Sequence, residues 1–255
     1  VRNLWIICLK ELRSYFVSPV AYLLLTMFAL IFGFFFWNAI GYFVFMGMEA
    51  QLRDEPMQMN VNEQIIRPLL ANLSVVGLFF IPIITMRLFA EEKRTGTIEL
   101  LATSPVRDGE IILGKWLASL MLYGFLLLFS GLSFIFLFRY GNPDWKPLVI
   151  GYVGLLLQAS GLLAIGTFIS TLTRNQIIAG AATFGVCLLL WVLEWVSGFE
   201  AAAWARVLAY FSVIAHFESF SKGLVDSKDV VFYLSLTLLS LFFTARSMES
   251  MRWRA

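Results

Sequence analysis

Glu91-Glu92-Lys93-Arg94-Thr95-Gly96-Thr97-Ile98-Glu99-Leu100-Leu101-Ala102-Thr103-Ser104-Pro105, followed closely by Gly114-Lys115, is a charged island between two long apolar runs. A short polar turn is enough to reverse a chain that only crosses a bilayer. This chain instead spends residues 91–110 on a charged, helix-forming element suited to lie on a membrane surface and be gripped by a soluble partner. Glu91, Glu92, Lys93 and Arg94 offer charges for pairing. Gly96 permits a sharp turn, and Thr95 or Thr97 can cap a new helix. Ile98 and Leu101, three residues apart, share one face as an apolar knob. Pro105 limits how far that helix runs.

The composition around the island sets the class. Hydrophobic residues make up 60% of the chain and charged residues 14%, with 25 Phe among them. Mean hydropathy is +0.81. A soluble domain carries about 25% charged residues, so this is an integral membrane protein. The net charge of +2 is too small to argue for nucleic acid, and no nucleic-acid partner is expected. The expected fold is all-α and polytopic, a single transmembrane domain over 1–255.

A membrane helix needs about 20 mostly apolar residues. Six segments qualify: 20–45, 69–88, 111–138, 148–172, 176–196 and 230–244. Spans 1 and 2 thus fall within 20–90, spans 3 to 5 within 111–196, and span 6 with a polar tail within 230–255. A further apolar stretch, 201–217, is interrupted by Arg206 and His216. It reads as an outer interfacial or re-entrant segment, within 197–229, buried against the bundle. With both termini inside, the inner pieces hold twelve of the 19 Lys and Arg residues and the outer pieces seven. That excess predicts both termini on the cytoplasmic side.

Residues 2–16 read as an amphipathic helix rather than a cleavable signal. Leu4, Trp5, Cys8, Leu9, Leu12, Tyr15 and Phe16 fall on one arc, and Arg2, Asn3, Lys10, Arg13 and Ser14 lie opposite. Such a helix suits the inner membrane interface. Ser18-Pro19 then breaks it and turns the chain into the first span, so 1–19 is read as an interfacial unit.

Chemistry of other kinds finds little support. Two cysteines, Cys8 and Cys187, lie far apart in the expected topology, and no disulfide is expected. Two Cys and one His, widely spaced, make no metal cluster. Gly109 to Lys115 fits the start of a phosphate-binding loop, but Trp116 follows where a hydroxyl is needed and no strand precedes. Lys115 is expected near the inner headgroups instead. His216 has no adjacent nucleophile and reads as an interfacial polar residue. Glu194, close to the outer end of the fifth span, is the only candidate for a charge at membrane depth, so ion coupling lacks obvious side chains. No inverted repeat is evident. No catalytic, cofactor or metal residue is assigned. Ser160, Ala164, Thr167 and Thr171 form a small-residue stripe, as do Gly180, Thr183 and Cys187, and both suit close helix contact. The Phe-rich runs 32–37 and 79–80 suit either a lipid-like cargo route or lipid contact.

Glu92-x-x-Thr95-Gly96-Thr97-x-Glu99-Leu100-Leu101-x-x-Ser104-Pro105 with Gly114-Lys115 resembles the first cytoplasmic loop of type 2 ATP-binding-cassette (ABC-2) permeases. The opening Lys10-Glu11-Leu12-Arg13-Ser14-Tyr15-Phe16-x-Ser18-Pro19-x-Ala21-Tyr22 is similar to the start of the gliding-motility-associated branch of that family. Phe217-x-x-Phe220-x-x-Gly223-Leu224-Val225-Asp226 resembles the outer segment before its last span. The resemblance implies a transport subunit of the type V exporter kind, not an enzyme. It pairs with a second permease copy, or with a related membrane subunit bearing an outer domain. A separate cytoplasmic ATPase dimer supplies ATP and magnesium. It implies ATPase coupling at Glu91, Glu92, Arg94, Thr95, Gly96, Thr97, Ile98, Glu99, Leu101, Ser104 and Pro105. It implies an interfacial helix marked by Lys10, Glu11, Arg13, Tyr15 and Phe16. A bacterial cytoplasmic membrane and export follow from the same resemblance. A nucleotide-independent channel or scramblase, and a scaffold for an outer partner, remain as alternatives, and the cargo is not legible.

Overall fold

The protein is described by a computed structural model over residues 2–52, 60–97, 106–141, 143–195 and 203–252, and it is helical, with no strand among the described residues. Helix α1 is Arg2–Val17 and α2 is Pro19–Leu52. Ser18 separates them, and Pro19 opens α2 at a position where the missing N–H costs nothing. A π-helical turn, Asn62–Ile66, leads into α3, Arg67–Thr85. Then come α4, Ala90–Thr95, α5, Asp108–Tyr140, α6, Trp145–Leu172, and α7, Gln176–Val192. Two short helices, α8 (Ala203–Tyr210) and α9 (Val213–Ser221), precede α10, Ser227–Arg252.

Five of these stretches are long and apolar enough to cross a membrane: Pro19–Leu52, Asn62–Thr95, Asp108–Tyr140, Trp145–Leu172 and Ser227–Ser250. The fifth of the six segments read from the sequence, 176–196, is the shorter apolar helix Gln176–Val192. α7 has 17 residues, about 26 Å at 1.5 Å per residue, slightly less than the ~30 Å hydrocarbon thickness. Helices α2 and α10 outrun the apolar runs that located them, to Leu52 and to Arg252. A helix already nucleated adds polar residues at one hydrogen bond each.

α6 sits at the centre, against α3, α5, α7, α9 and α10. Its small-residue stripe faces α10 within the same chain. The Ser160 and Thr237 hydroxyls lie 3.0 Å apart, and Thr171 Oγ1 donates to Ser247 Oγ at 2.8 Å. Ala164 and Thr167 between them are fully buried. With no hydrophobic drive between helices in lipid, small residues and interhelical hydroxyl bonds carry such contacts. On another face, a Cβ on Gly154 would sit 2.5 Å from Phe220, and one on Gly166 would sit 2.3 Å from Thr85. Ser74 donates to Gln158 Oε1 at 2.7 Å, a buried polar pair between α3 and α6. The second stripe packs on α3: Thr183 and Cys187 are buried, and Gly180 approaches Met86.

The Phe runs divide between core and surface. Phe32 stacks on Phe28 and tilts against Phe134, and Phe28 meets Phe80 edge-on at 5.5 Å. Phe34, Trp37 and Phe79 are exposed.

Both cysteines are free and buried. Burial first, and the Glu11 carboxylate second, push the Cys8 thiol above its ordinary value, which starves it of the reactive thiolate. Maleimide applied to the folded chain is expected to label neither cysteine, and both after denaturation. Labelling of Cys8 in the folded chain, read by intact mass, would contradict the packing of α1.

The apolar stretch 201–217 is two helices rather than one. Ser212 breaks it, and its side-chain oxygen accepts from Ala215 N at 3.2 Å to cap α9. His216, read as an interfacial residue, is instead buried. Its Nδ1 lies 2.7 Å from Asp229 Oδ1 and its Nε2 2.8 Å from Tyr210 O, which ties α9 to α10.

Candidate coupling site

At the end of the bundle opposite His216, the charged island meets α1 and α5. α1 crosses α5 at Gly114, where a Cβ would fall 2.9 Å from Ile7 Cγ2 and 3.1 Å from Leu4 O. The missing side chain lets the two helices touch. One turn along α1, Glu11 then reaches Lys115, the residue after that glycine. Lys115 Nζ donates to Glu11 Oε1 at 2.9 Å, to Glu92 Oε1 at 2.8 Å and to Leu88 O at 2.9 Å. An ammonium has three N–H donors, and all three are used.

Lys115 is 2% exposed and lies over the Phe89 ring. The expectation that it sits among headgroups is corrected: two carboxylates and a carbonyl solvate it inside the protein. Charged hydrogen bonds of this kind are about twice as strong as neutral ones. One ammonium thus joins α1, α4 and α5.

The start of α4 is held by a different helix. Its own cap residue, Phe89, has no side-chain acceptor. Ser170 Oγ of α6 accepts from both Phe89 N and Ala90 N, at 3.0 and 3.1 Å. Lys93 Nζ donates to Thr171 O, also on α6. α4 ends at Gly96, whose φ of 74° is left-handed, a conformation glycine adopts without steric cost. Thr95 Oγ1 donates back to Glu91 O at 3.0 Å and lies 3.0 Å from Thr97 Oγ1. Both hydroxyls close the end of α4.

α1 is bolted to the same region. Tyr15 is buried, donates to Ile84 O at 2.8 Å, and carries the Arg87 guanidinium over its ring at 4.1 Å. Burial pushes its phenol well above the usual value, against the opposing pull of Arg87. Phe16 meets Phe125 edge-on at 5.8 Å. Lys10 and Arg13 are exposed, with Lys10 Nζ 3.9 Å from Glu11 Oε1. The inward face of α1 is Leu4, Ile7, Cys8, Glu11, Leu12 and Tyr15, while Trp5 and Leu9 of the expected arc are exposed.

Of the island residues, Glu91, Arg94, Thr95, Gly96 and Thr97 are exposed around the site and Glu92 is half-buried in it. Ile98, Glu99, Leu101, Ser104 and Pro105 lie outside the described residues. Ser170, Thr171, Leu88 and Ile84 contribute to the site without a signal for that role in the sequence: three of them act through backbone carbonyls, and Ser170 acts from a distant helix. A cleft of about 510 Å³ opens between α1 and α4, with Lys115 and Glu92 among its lining and Lys10, Ser14 and Thr97 around it.

The arrangement is a short charged helix, pinned to three others, at one end of the bundle. The family model described as ABC-2 family transporter protein matches residues 5–248. The chain belongs to the ABC-2 transporter family. A search among curated proteins returns no match. Membership makes this chain a multi-pass membrane transport component, not itself catalytic. ABC-2 membership also implies partnership with an ATP-hydrolysing subunit. The Lys115 knot ties α4 to α1 and to α5.

Proposed function

We propose that this chain is the permease of an ABC exporter, in the gliding-motility-associated branch of ABC-2 proteins, and that the α4 region is where its ATPase docks. The supporting observation is the Lys115 ammonium shared by Glu11 and Glu92, which makes α4, α1 and α5 one mechanical unit. In this reading the termini and α4 face the cytoplasm of a bacterium. A dimer of ATPase subunits holds ATP and magnesium. A second permease copy, or a related subunit with an outer domain, completes the path through the membrane. Closure of the ATPase pair pushes on α4. The knot passes that push to α1 at the interface and to α5 in the membrane, while Ser170 and Lys93 pass it to α6.

Arg94 is exposed and makes none of these internal contacts, so its reversal tests docking without loosening the fold. Arg94→Glu is expected to cut recovery of the co-purifying ATPase at least tenfold while leaving the thermal melt of the permease unchanged. Full recovery with Arg94→Glu would count against docking at α4. Transport by vesicles of purified chain without nucleotide would favour a channel or scramblase.

A further inference from the structure

His216 meets, at both ring nitrogens, groups that only accept. Nε2 lies 2.8 Å from Tyr210 O at the end of α8, and Nδ1 lies 2.7 Å from Asp229 Oδ1 in the first turn of α10. A carbonyl and a carboxylate have no proton to give, and a neutral imidazole has one N–H. Both bonds therefore exist together only when the pair holds one proton more than a neutral ring and a bare carboxylate. The positive end of α10 favours the carboxylate at Asp229, so that proton sits on the ring. His216 is then an imidazolium stacked on Phe232, with centroids 4.0 Å apart, and Asp229 is its counter-ion.

The charges around the pair are matched among themselves. On α9, Glu218 meets Lys222 at 2.7 Å and Arg67 of α3 at 3.5 Å. Asp226, just before α10, holds Lys228 at 3.1 Å. The Glu194 carboxylate, past the end of α7, lies within range of Glu218. His216 and Asp229 are 6% and 1% exposed, and Asp229 Oδ2 has no hydrogen-bond partner. A buried carboxylate so placed leans on the proton of the ring beside it.

We propose that His216 and Asp229 form a proton-binding latch: with its proton the ring holds α8 to α10, and without it α8 is let go. Deprotonation leaves the ring one N–H. The carboxylate is the stronger acceptor, so that N–H stays at Nδ1, against Asp229. Nε2 gives its proton to water in a cleft of about 330 Å³ lined by Tyr210, His216 and Asp229. Its lone pair then opposes the Tyr210 carbonyl. α9 stays on α10 through Nδ1 and through Tyr233, whose hydroxyl donates to Val213 O at 2.7 Å. α8 has less to hold it. Among the described residues, the Nε2 bond is the hydrogen bond that joins it to a later helix, and the edge of the Tyr210 ring on Phe232 adds to it. Val207, Leu208 and Tyr210 are exposed. In the topology proposed above this end of the bundle faces outward, so external acidity closes the latch. The latch itself does not depend on where an ATPase docks.

His216 is the only histidine in the chain, so nitrogen NMR of the histidine-labelled protein in detergent reads its charge and tautomer directly. The ring is expected to be an imidazolium in acid and to become the Nδ1–H tautomer as pH rises. Val207 and Val231 are exposed, while Cys8 and Cys187 are buried. Spin labels at Val207→Cys and Val231→Cys are expected to move apart through the same titration. Asp229→Asn separates a latch from a merely structural bond. The amide N–H that it brings donates to Nδ1, so a neutral ring keeps Nε2–H on Tyr210 O, and the labels are expected to stay close at every pH. Labels that hold one distance while the wild-type ring titrates overturn the latch, as does an Asp229→Asn chain that spreads with pH like wild type. A ring that is neutral wherever the chain is folded, or that keeps both protons until it unfolds, overturns it equally. If Asp229→Asn does not fold, the two wild-type measurements decide alone.

Discussion

Lys115→Met is expected to destabilise the protein by about 3–5 kcal/mol, the usual cost of removing one partner from a buried ion pair. The loss is large because Glu92 loses the ammonium that bonds it and Glu11 keeps only the exposed Lys10, at 3.9 Å. Glu11 and Glu92 side chains are 15% and 13% exposed, so water gives them little help. The Leu88 carbonyl loses its donor as well. Melting in detergent should show the drop directly. The triple variant Lys115→Met, Glu11→Gln, Glu92→Gln removes all three charges and is expected to regain most of the lost stability. It should not regain ATP-driven transport, because α1, α4 and α5 are then no longer tied by charge. A Lys115→Met chain that melts with wild type would refute the knot.

Gly166→Ala is expected to cost about 2–3 kcal/mol, within the range for forcing a methyl into a packed core. The added Cβ would lie 2.3 Å from Thr85 Oγ1 and 2.7 Å from Thr85 Cβ. Rotating Thr85 relieves only the first contact, and its hydroxyl is already bonded to Ile81 O at 3.0 Å. α6 and α3 must therefore part. Ser170 stands one turn further along α6, so its grip on Phe89 N and Ala90 N loosens in the same step. Coupling of ATP hydrolysis to transport should fall with stability. Gly185→Ala is the control. Nothing lies within 4 Å of its added Cβ, and alanine raises helix propensity, so its melt is expected at or slightly above wild type. Equal melts for the two variants would mean that α3 and α6 do not pack as described.

The sequence by itself determined that this is a helical membrane protein. Long apolar runs in a chain with few charges leave the backbone one local solution in lipid, and that requirement acts residue by residue. The Ser18-Pro19 break and the turn at Gly96 were legible for the same reason: proline and glycine act on their own backbone. The island was visible as a charged run, and its likeness to ABC-2 loops rested on residues close together in the chain.

Only the tertiary structure decided what those charges touch. Lys115 and Glu11 are 104 residues apart, and no local rule links them, so a lysine next to an apolar run read as a headgroup contact. The serine that caps α4 lies 80 residues away on α6, while the residue in the capping position is a phenylalanine. Which face of each stripe meets which helix was equally hidden, since small residues permit close approach to any neighbour. Whether 176–196 makes a full span depended on where its helix stops. Periodicity and composition report on neighbours in sequence; pairing across helices is set by the packing of the whole bundle, and it is that packing which puts the ammonium between two carboxylates.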